Sequence, residues 1–250
     1  MILSDLRHDG KLLHITLNAP KANILDAQML GSISDALAED GRRGQLRAIF
    51  FEGAGRHFSF GASVEEHQHD RVAEMLHQFH GLFRQLSALA VPTFAVVRGQ
   101  CLGGGLELAS YCSWIFAEPD AVFGQPEIKL AVFPPMASIL LPWRIGGAAA
   151  LDLCVTGRSI SAERALEIGL VQSIGTDPGA AADAYFMEHL APLSASSVRF
   201  AERAVRTTLM RAMEQDLPTL ERLYVEELME THDANEGIAA FLDKRSPVYE

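Results

Sequence analysis

An α/β fold with a helical C-terminal region is the class this 250-residue sequence predicts, on three observations. Short runs rich in β-branched and aromatic residues recur through the first two thirds of the chain. Longer segments carrying apolar residues three and four apart lie between them. After about Ser161 the strand-like runs nearly stop, and helical spacing takes over.

Taken in order, "LLHITLN" (12–18) and "LRAIFFEG" (46–53) read as strands, and "TFAVVRG" (93–99), "SWIFA" (113–117) and "GLVQSIG" (169–175) continue the series. Between them, Asp26 to Glu39, Asp70 to Leu89 and Gly105 to Tyr111 have the one-sided apolar spacing of helices packed on a core. The tail predicts helices over Ala180 to Leu190, Ser196 to Met210 and Leu217 to His232, with a last turn near Ile238 to Leu242. No fixed-period repeat or low-complexity stretch breaks this order. The expected organisation is one core over residues 1–190 and a helical region over 191–250.

Composition narrows the function classes. Hydrophobic residues make up 48% and charged residues 21%, enough apolar content for one sizeable core. The formal net charge is −11, from 32 acidic and 21 basic residues, which disfavours a nucleic-acid or anionic-membrane surface. Cys101, Cys112 and Cys154 are odd in number, far apart and without a C-x-x-C pair, as expected in a reducing compartment. "MILSDLRHDG" has no apolar stretch long enough for a secretory signal, and the longest apolar run is broken by Pro134 and Pro135. A soluble cytoplasmic protein is expected.

The stretch "RGQCLGGGLELAS" (98–110) carries the first chemical signal. Three successive glycines precede an apolar helix whose first turn holds Glu107. A phosphate cradle fails here: no Lys-Ser/Thr pair follows the glycines, and Glu107 would repel a pyrophosphate at the same helix terminus. A glycine turn also serves another purpose. Without Cβ atoms its N–H groups approach an oxygen closely, and the helix start adds positive potential where negative charge develops. "HFSFGASVEEH" (57–67), with Gly61 and Ala62 after an aromatic run, and "FGQPEIKLAVFPP" (123–135), with Glu127 after Pro126, supply candidates for a second donor and a second acid.

The order "FSFGAS", "CLGGGLELA", "FGQPEIKLAVFP" and "TGRSISAERALEIGLV" resembles the enoyl-CoA hydratase/isomerase, or crotonase, family. The resemblance covers nearly the whole chain, from the Asn-x-Pro of "ITLNAPKANILD" to "EGIAAFLDKRSP". Within the family, "VFPPMASILLPWRIG", "SASSVRFAERA" and "ERLYVEELMETHDANEG" resemble the ring hydratases of anaerobic benzoyl-CoA degradation, whose acyl group is cyclohexa-1,5-diene-1-carbonyl.

That resemblance implies a repeated ββα spiral and a homotrimer or dimer of trimers assembled through the C-terminal helices. It also implies an acyl-CoA thioester as the partner and no cofactor, metal, nucleic acid or membrane. It places an oxyanion hole on the backbone N–H groups of Ala62 and Gly104, and the two hydratase glutamates at Glu107 and Glu127. The chemistry needs both acids. Water addition to a double bond conjugated to a thioester requires a hydrogen-bond acceptor for the water and a proton source, and like charges held close push their pKa values apart. Glu127 is expected to be the main general acid/base, with Glu107 orienting the water.

The chain departs from the family pattern at two places. Ser63 stands where many members have Asp, and Pro134, Pro135, Met136, Ala137 and Ser138 replace a flexible Gly-Gly-Thr-x-Arg-Leu segment. Proline fixes φ and suits a helix start, so Phe133, Pro134, Pro135 and Met136 are expected to form a firm wall for a cyclic acyl group. His67, His69, His77 and His80 invite a metal reading, but no acidic-histidine motif accompanies them; a cover over the acyl pocket is the preferred reading. Lys244 and Arg245 are candidates for CoA phosphates or for a solvated helix end. The rival functions are an ordinary short-chain enoyl-CoA hydratase or isomerase and a non-catalytic scaffold or RNA-binding homologue.

Overall fold

The most apolar runs become the parallel strands of one sheet, buried because helices cover both of its faces. A computed structural model describes residues 1–19 and 21–250. Pro20, which closes the Asn-x-Pro motif, lies outside the described residues. The strands are β1 (Ile2–Arg7), β2 (Leu12–Leu17), β3 (Ala48–Gly53), β4 (Thr93–Val97), β5 (Gln100–Leu102), β6 (Trp114–Ala117), β7 (Val122–Gly124), β8 (Ser159–Ser161) and β9 (Ser173–Ile174). The large sheet has the order β1-β2-β3-β4-β6-β9; β1 is antiparallel to β2, and every other pair is parallel. β4 is buried at all five positions.

Period-two alternation sends β3 and β4 side chains to two cores. Phe50, Phe94 and Val96 meet Ala182 and Phe186 of α7 (Pro178–His189) on one side. Ile49, Phe51, Ala95 and Val97 belong to the main core on the other, with Ile33 and Leu37 of α1 (Ala27–Glu39) and Phe83 and Leu86 of α2 (Val72–Leu89). Asp26 caps α1 by accepting from the Met29 N–H at 2.8 Å, so the helix begins where its sequence predicts.

A second, shorter ladder gives the spiral its pitch. Leu25 bridges Ala62, Ser59 bridges Cys101, β5 pairs with β7, and β7 pairs with β8. Successive turns of chain thus place one strand in the large sheet and a short extended segment in this ladder before entering a helix, the expected repeated ββα unit. The next helices are α3 (Gly104–Tyr111), α4 (Pro135–Ile145), α5 (Gly147–Thr156) and α6 (Ala162–Glu167). The tail adds α8 (Ala195–Val205), α9 (Thr207–Arg222) and α10 (His232–Leu242). Leu209, Met213 and Leu217 of α9 join the main core. No helix of the described residues is long and apolar enough to cross a membrane, and all three cysteines are free thiols.

Several elements differ from their sequence prediction. β1 has a mostly exposed, polar edge pattern with no alternation to find. β5, β7 and β8 are three residues each, too short for periodicity to register. The expected strand over 169–175 shrinks to Ser173–Ile174. The run broken by two prolines is helix α4, because Pro135 occupies a first-turn position that needs no N–H donor. The expected helix over 196–210 is two helices meeting at Arg206, and the one over 217–232 is the end of α9 followed by a π turn and a 3₁₀ turn.

α10 seats against the segment that carries Glu127. Gly237 makes this possible: a Cβ there would lie 2.3 Å from the Leu130 carbonyl oxygen. Gly237→Ala is therefore expected to cost about 1–3 kcal/mol through overpacking, read as a lower denaturation midpoint. Gly31→Ala, with no atom within 4 Å of the added methyl, should leave stability equal or higher.

Candidate active site

Three glycines shape the turn from β5 into α3. Gly103 has φ +52°, a left-handed backbone that other residues rarely adopt, and its N–H donates to the Gly124 carbonyl at 2.9 Å. A Cβ on Gly103 would lie 2.7 Å from Glu127 Oε1, so the bare α-carbon is also what lets that carboxyl approach. Gly61, at φ +102°, turns the neighbouring chain; Ser59 Oγ accepts from its N–H at 3.0 Å and itself donates to the Asn23 carbonyl at 2.8 Å. These turns bring Ala62 and Gly104 together: a Cβ built on Gly104 would lie 3.1 Å from the Ala62 nitrogen. Both residues line one cavity, and Gly104 opens α3, where N–H groups have no intrahelical acceptor. Two such donors can address one oxygen that gains negative charge.

Glu107 and Glu127 line the same cavity of about 710 Å³. Glu107 lies in the first turn of α3 and is 4% exposed; its Oε1 accepts from the Ala137 N–H at 2.7 Å, at the start of α4. Burial pushes its pKa up to about 7, against the lowering effect of the Ala137 and Met136 N–H groups. Glu127 lies on the 3₁₀ turn Pro126–Leu130, and burial followed by the charge of Glu107 raises its pKa well above the usual carboxylate range. The arrangement favours one shared proton over two ionised groups, which suits acid–base work on a single bound molecule.

Phe133, Pro134 and Pro135 line the cavity, whereas Met136 does not. Its side chain is fully buried in the main core, and its approach to the site is through its backbone N–H beside Glu107. Pro135 and Met136 are consecutive positions in the first turn of α4, where side chains diverge by about 100°, so with Pro135 on the cavity Met136 points into the core. The histidine segment supplies another part of the wall: His67 and His80 line the cavity with Met75, Leu76 and Phe79. His67 Nδ1 bonds the Ser63 carbonyl at 2.7 Å, His80 Nδ1 pairs with Glu221 at 2.7 Å, and His69 pairs with Glu230 at 3.0 Å. Arg245 is held by both carboxylate oxygens of Glu236, so its charge is already paired.

Gln125 belongs to none of the candidate groups that the sequence offers. It is fully buried, and in the amide orientation that satisfies its neighbours its nitrogen lies 3.1 Å from both Glu127 oxygens and 3.2 Å from the Gly103 carbonyl, so its two hydrogens serve the Glu127 carboxyl and that carbonyl. Its place two residues before Glu127 in "FGQPE" was the available signal. Tyr224, from the π turn after α9, also lines the cavity.

The fold and this glycine-and-glutamate cavity define a class: the chain belongs to the enoyl-CoA hydratase/isomerase family, whose profile matches residues 7–250, and is an enzyme of the enoyl-CoA hydratase, hydro-lyase type. It is 52% identical to the cyclohexa-1,5-dienecarbonyl-CoA hydratase of Thauera aromatica over 245 residues, covering 98% of this chain and 95% of that one. A probable enoyl-CoA hydratase of Mycobacterium bovis is 35% identical over 248 residues, covering 98% and 96%. Among solved structures, an enoyl-CoA hydratase/isomerase from Xanthobacter autotrophicus Py2 superposes with a TM-score of 0.83 at 28% identity, covering 99% of this chain and 98% of that one. An enoyl-CoA hydratase from Mycobacterium avium subsp. paratuberculosis gives 0.86 at 25%, covering 100% and 98%.

The raised pKa of Glu107 fixes the sign of a stability change. A carboxyl that protonates more readily in the fold than in the unfolded chain contributes its full stability below about pH 4.5 and loses it as pH rises through about 7. At alkaline pH the loss is on the order of 3 kcal/mol. Glu107→Gln is expected to flatten this part of the stability profile and to raise stability above pH 7, as checked by denaturant unfolding from pH 4 to 8.

Proposed function

We propose that this protein is a hydratase that adds water to a conjugated (di)enoyl-CoA thioester, with cyclohexa-1,5-diene-1-carbonyl-CoA as its acyl substrate. The observation that carries the reaction is the convergence of two carboxyls with raised pKa values and two close backbone N–H donors in one largely apolar cavity. The acyl group is supported by the 52% identity to the Thauera aromatica protein and by the proline pair at the cavity wall.

In this reading the thioester oxygen lies between the Ala62 and Gly104 N–H groups, which stabilise the enolate more than the starting carbonyl. The carboxyl pair shares one proton. Glu127, whose pKa is raised more strongly, holds it as general acid, and the Glu107 carboxylate, steadied by Ala137, accepts a hydrogen bond from the water. The water oxygen bonds to the carbon β to the thioester, one water proton passes to Glu107, and the electron pair of the double bond moves toward the thioester oxygen. Glu127 then protonates carbon, at the far end of the conjugated system for a ring diene. Dehydration reverses each step. Gln125, donating to the Glu127 carboxyl, orients that acid.

We further infer a homotrimer or dimer of trimers through residues 191–250, in a cytoplasmic setting. A groove of about 870 Å³ between α2, α8 and α9, lined by Arg84, Phe200, Arg203 and Met210, supports this, because it holds neither the glutamate pair nor the paired N–H donors. Phe200 and Val205 beside it are 68% and 73% exposed, apolar area that a second copy would cover.

Hydration of the cyclic dienoyl-CoA against crotonyl-CoA, followed by absorbance and product mass, tests the function. Preference for the ring is expected, and Glu127→Gln should lower turnover by about 10²–10⁴-fold. Preference for crotonyl-CoA would overturn the ring assignment; turnover of neither would overturn the hydratase reading. If the proline wall shapes the acyl compartment, Pro135→Gly lowers the ring-to-linear ratio by about 10-fold, measured as a ratio of kcat/KM values.

A further inference from the structure

The acyl cavity contains a polar group that the hydration scheme leaves unused. Tyr224 is 1% exposed and lines the cavity that holds Glu107 and Glu127. Its ring packs 5.3 Å from that of Phe133, part of the proposed acyl wall. Its hydroxyl has no hydrogen-bond partner among the described residues. Buried polar atoms are paired in the great majority of cases, and an unpaired one is destabilising. A phenylalanine would fill the same space without that cost.

The local backbone adds a second observation. Tyr224 lies in Leu223–Glu227, a π turn between α9 and the 3₁₀ turn that follows. Such turns insert a residue into the helical register, re-aim side chains and recur at functional sites. Burial, followed by the charges of Glu127 and Glu107, raises the phenol pKa well above its ordinary value, so the group stays neutral over the working range. His80 Nε2 on the cavity wall is also unpaired among the described residues, but its ring is already anchored by Glu221 through Nδ1. Tyr224 has no competing commitment.

We propose that the Tyr224 hydroxyl is the second hydrogen-bonding group, beside Glu107, for the oxygen that hydration adds, an assignment that rests on the hydratase reading above. The attacking water has two O–H bonds. One proton passes to Glu107; the other stays on the oxygen and becomes the O–H of the product alcohol. The phenol oxygen accepts that second bond before attack and after it, so both hydrogens of the water are directed and a lone pair is left for carbon. Glu107 and Glu127 exchange protons during the reaction, whereas a neutral phenol can hold the retained O–H throughout. The same contact distinguishes a hydroxyacyl thioester from a saturated one with the same carbon skeleton, because only the first carries the oxygen.

Tyr224→Phe in the full chain tests this. Hydration kcat/KM on the thioester the wild type hydrates is expected to fall roughly 10- to 100-fold. Affinity for the hydroxyacyl-CoA product should weaken about 10-fold, affinity for the saturated acyl-CoA should not change, and the melting temperature should hold or rise. Unchanged hydration and unchanged product affinity would overturn the assignment. Equal weakening toward both thioesters with a lower melting temperature would overturn it too, since that pattern marks a structural role. Tyr224→Leu, read by the same affinity ratio, decides the matter if the phenylalanine variant does not fold. A wild type that hydrates neither thioester refutes the hydratase reading, while the product-to-saturated affinity ratio still scores Tyr224 independently of turnover.

Discussion

Two carboxyl groups in one poorly solvated cavity repel each other when both are ionised, and the structure around them is the set of conditions for holding them there. Glu107 is kept by the start of α4, where the Ala137 N–H reaches its Oε1. Glu127 is kept by a 3₁₀ turn that α10 clamps through the absence of a side chain at Gly237. The two acids come from separate turns of the spiral, so neither local sequence can relax to relieve the other. The remedy available is to bind a proton, and the raised pKa values follow from that.

The large sheet does not build the site. Among the described residues, none that lines the cavity comes from the six strands of that sheet; the walls come from the short ladder, the segments and helix starts that follow it, one face of α2 and the tail. Stability and chemistry are thereby assigned to different layers. The sheet and its two cores hold the spiral rigid, and the ends of the short ladder present backbone N–H groups that regular pairing would have consumed. Gly103 serves both purposes: its positive φ aims the chain into α3, and its missing Cβ admits Glu127.

The parallel sheet was legible because its strands are apolar on both faces and flanked by turn residues, as in "TFAVV". β5, β7 and β8 were not, since three residues hold no period. α4 was hidden by the prolines that begin it, which read as a break until Pro135 is placed in the first turn. At the site, Ala62, Gly104, Glu107 and Glu127 were singled out from motif order. Met136 neighbours the wall in sequence but not in space, because the first turn of α4 carries its side chain into the core. Gln125 is marked in the sequence only by its place two residues before Glu127, and a tyrosine in a helical tail carries no local mark of the cavity that Tyr224 lines.

The sequence by itself determined the chemical groups, the helix start that follows the glycines and the apolar runs that pair into a sheet, because these depend on residues within a few positions of each other. Only the tertiary structure decided that Glu107 lies against α4, that both acids share one cavity, that Met136 turns into the core and that the Tyr224 hydroxyl is left without a partner among the described residues. Burial and proximity set proton affinity and hydrogen-bond satisfaction, and both are properties of distances between segments far apart in the chain.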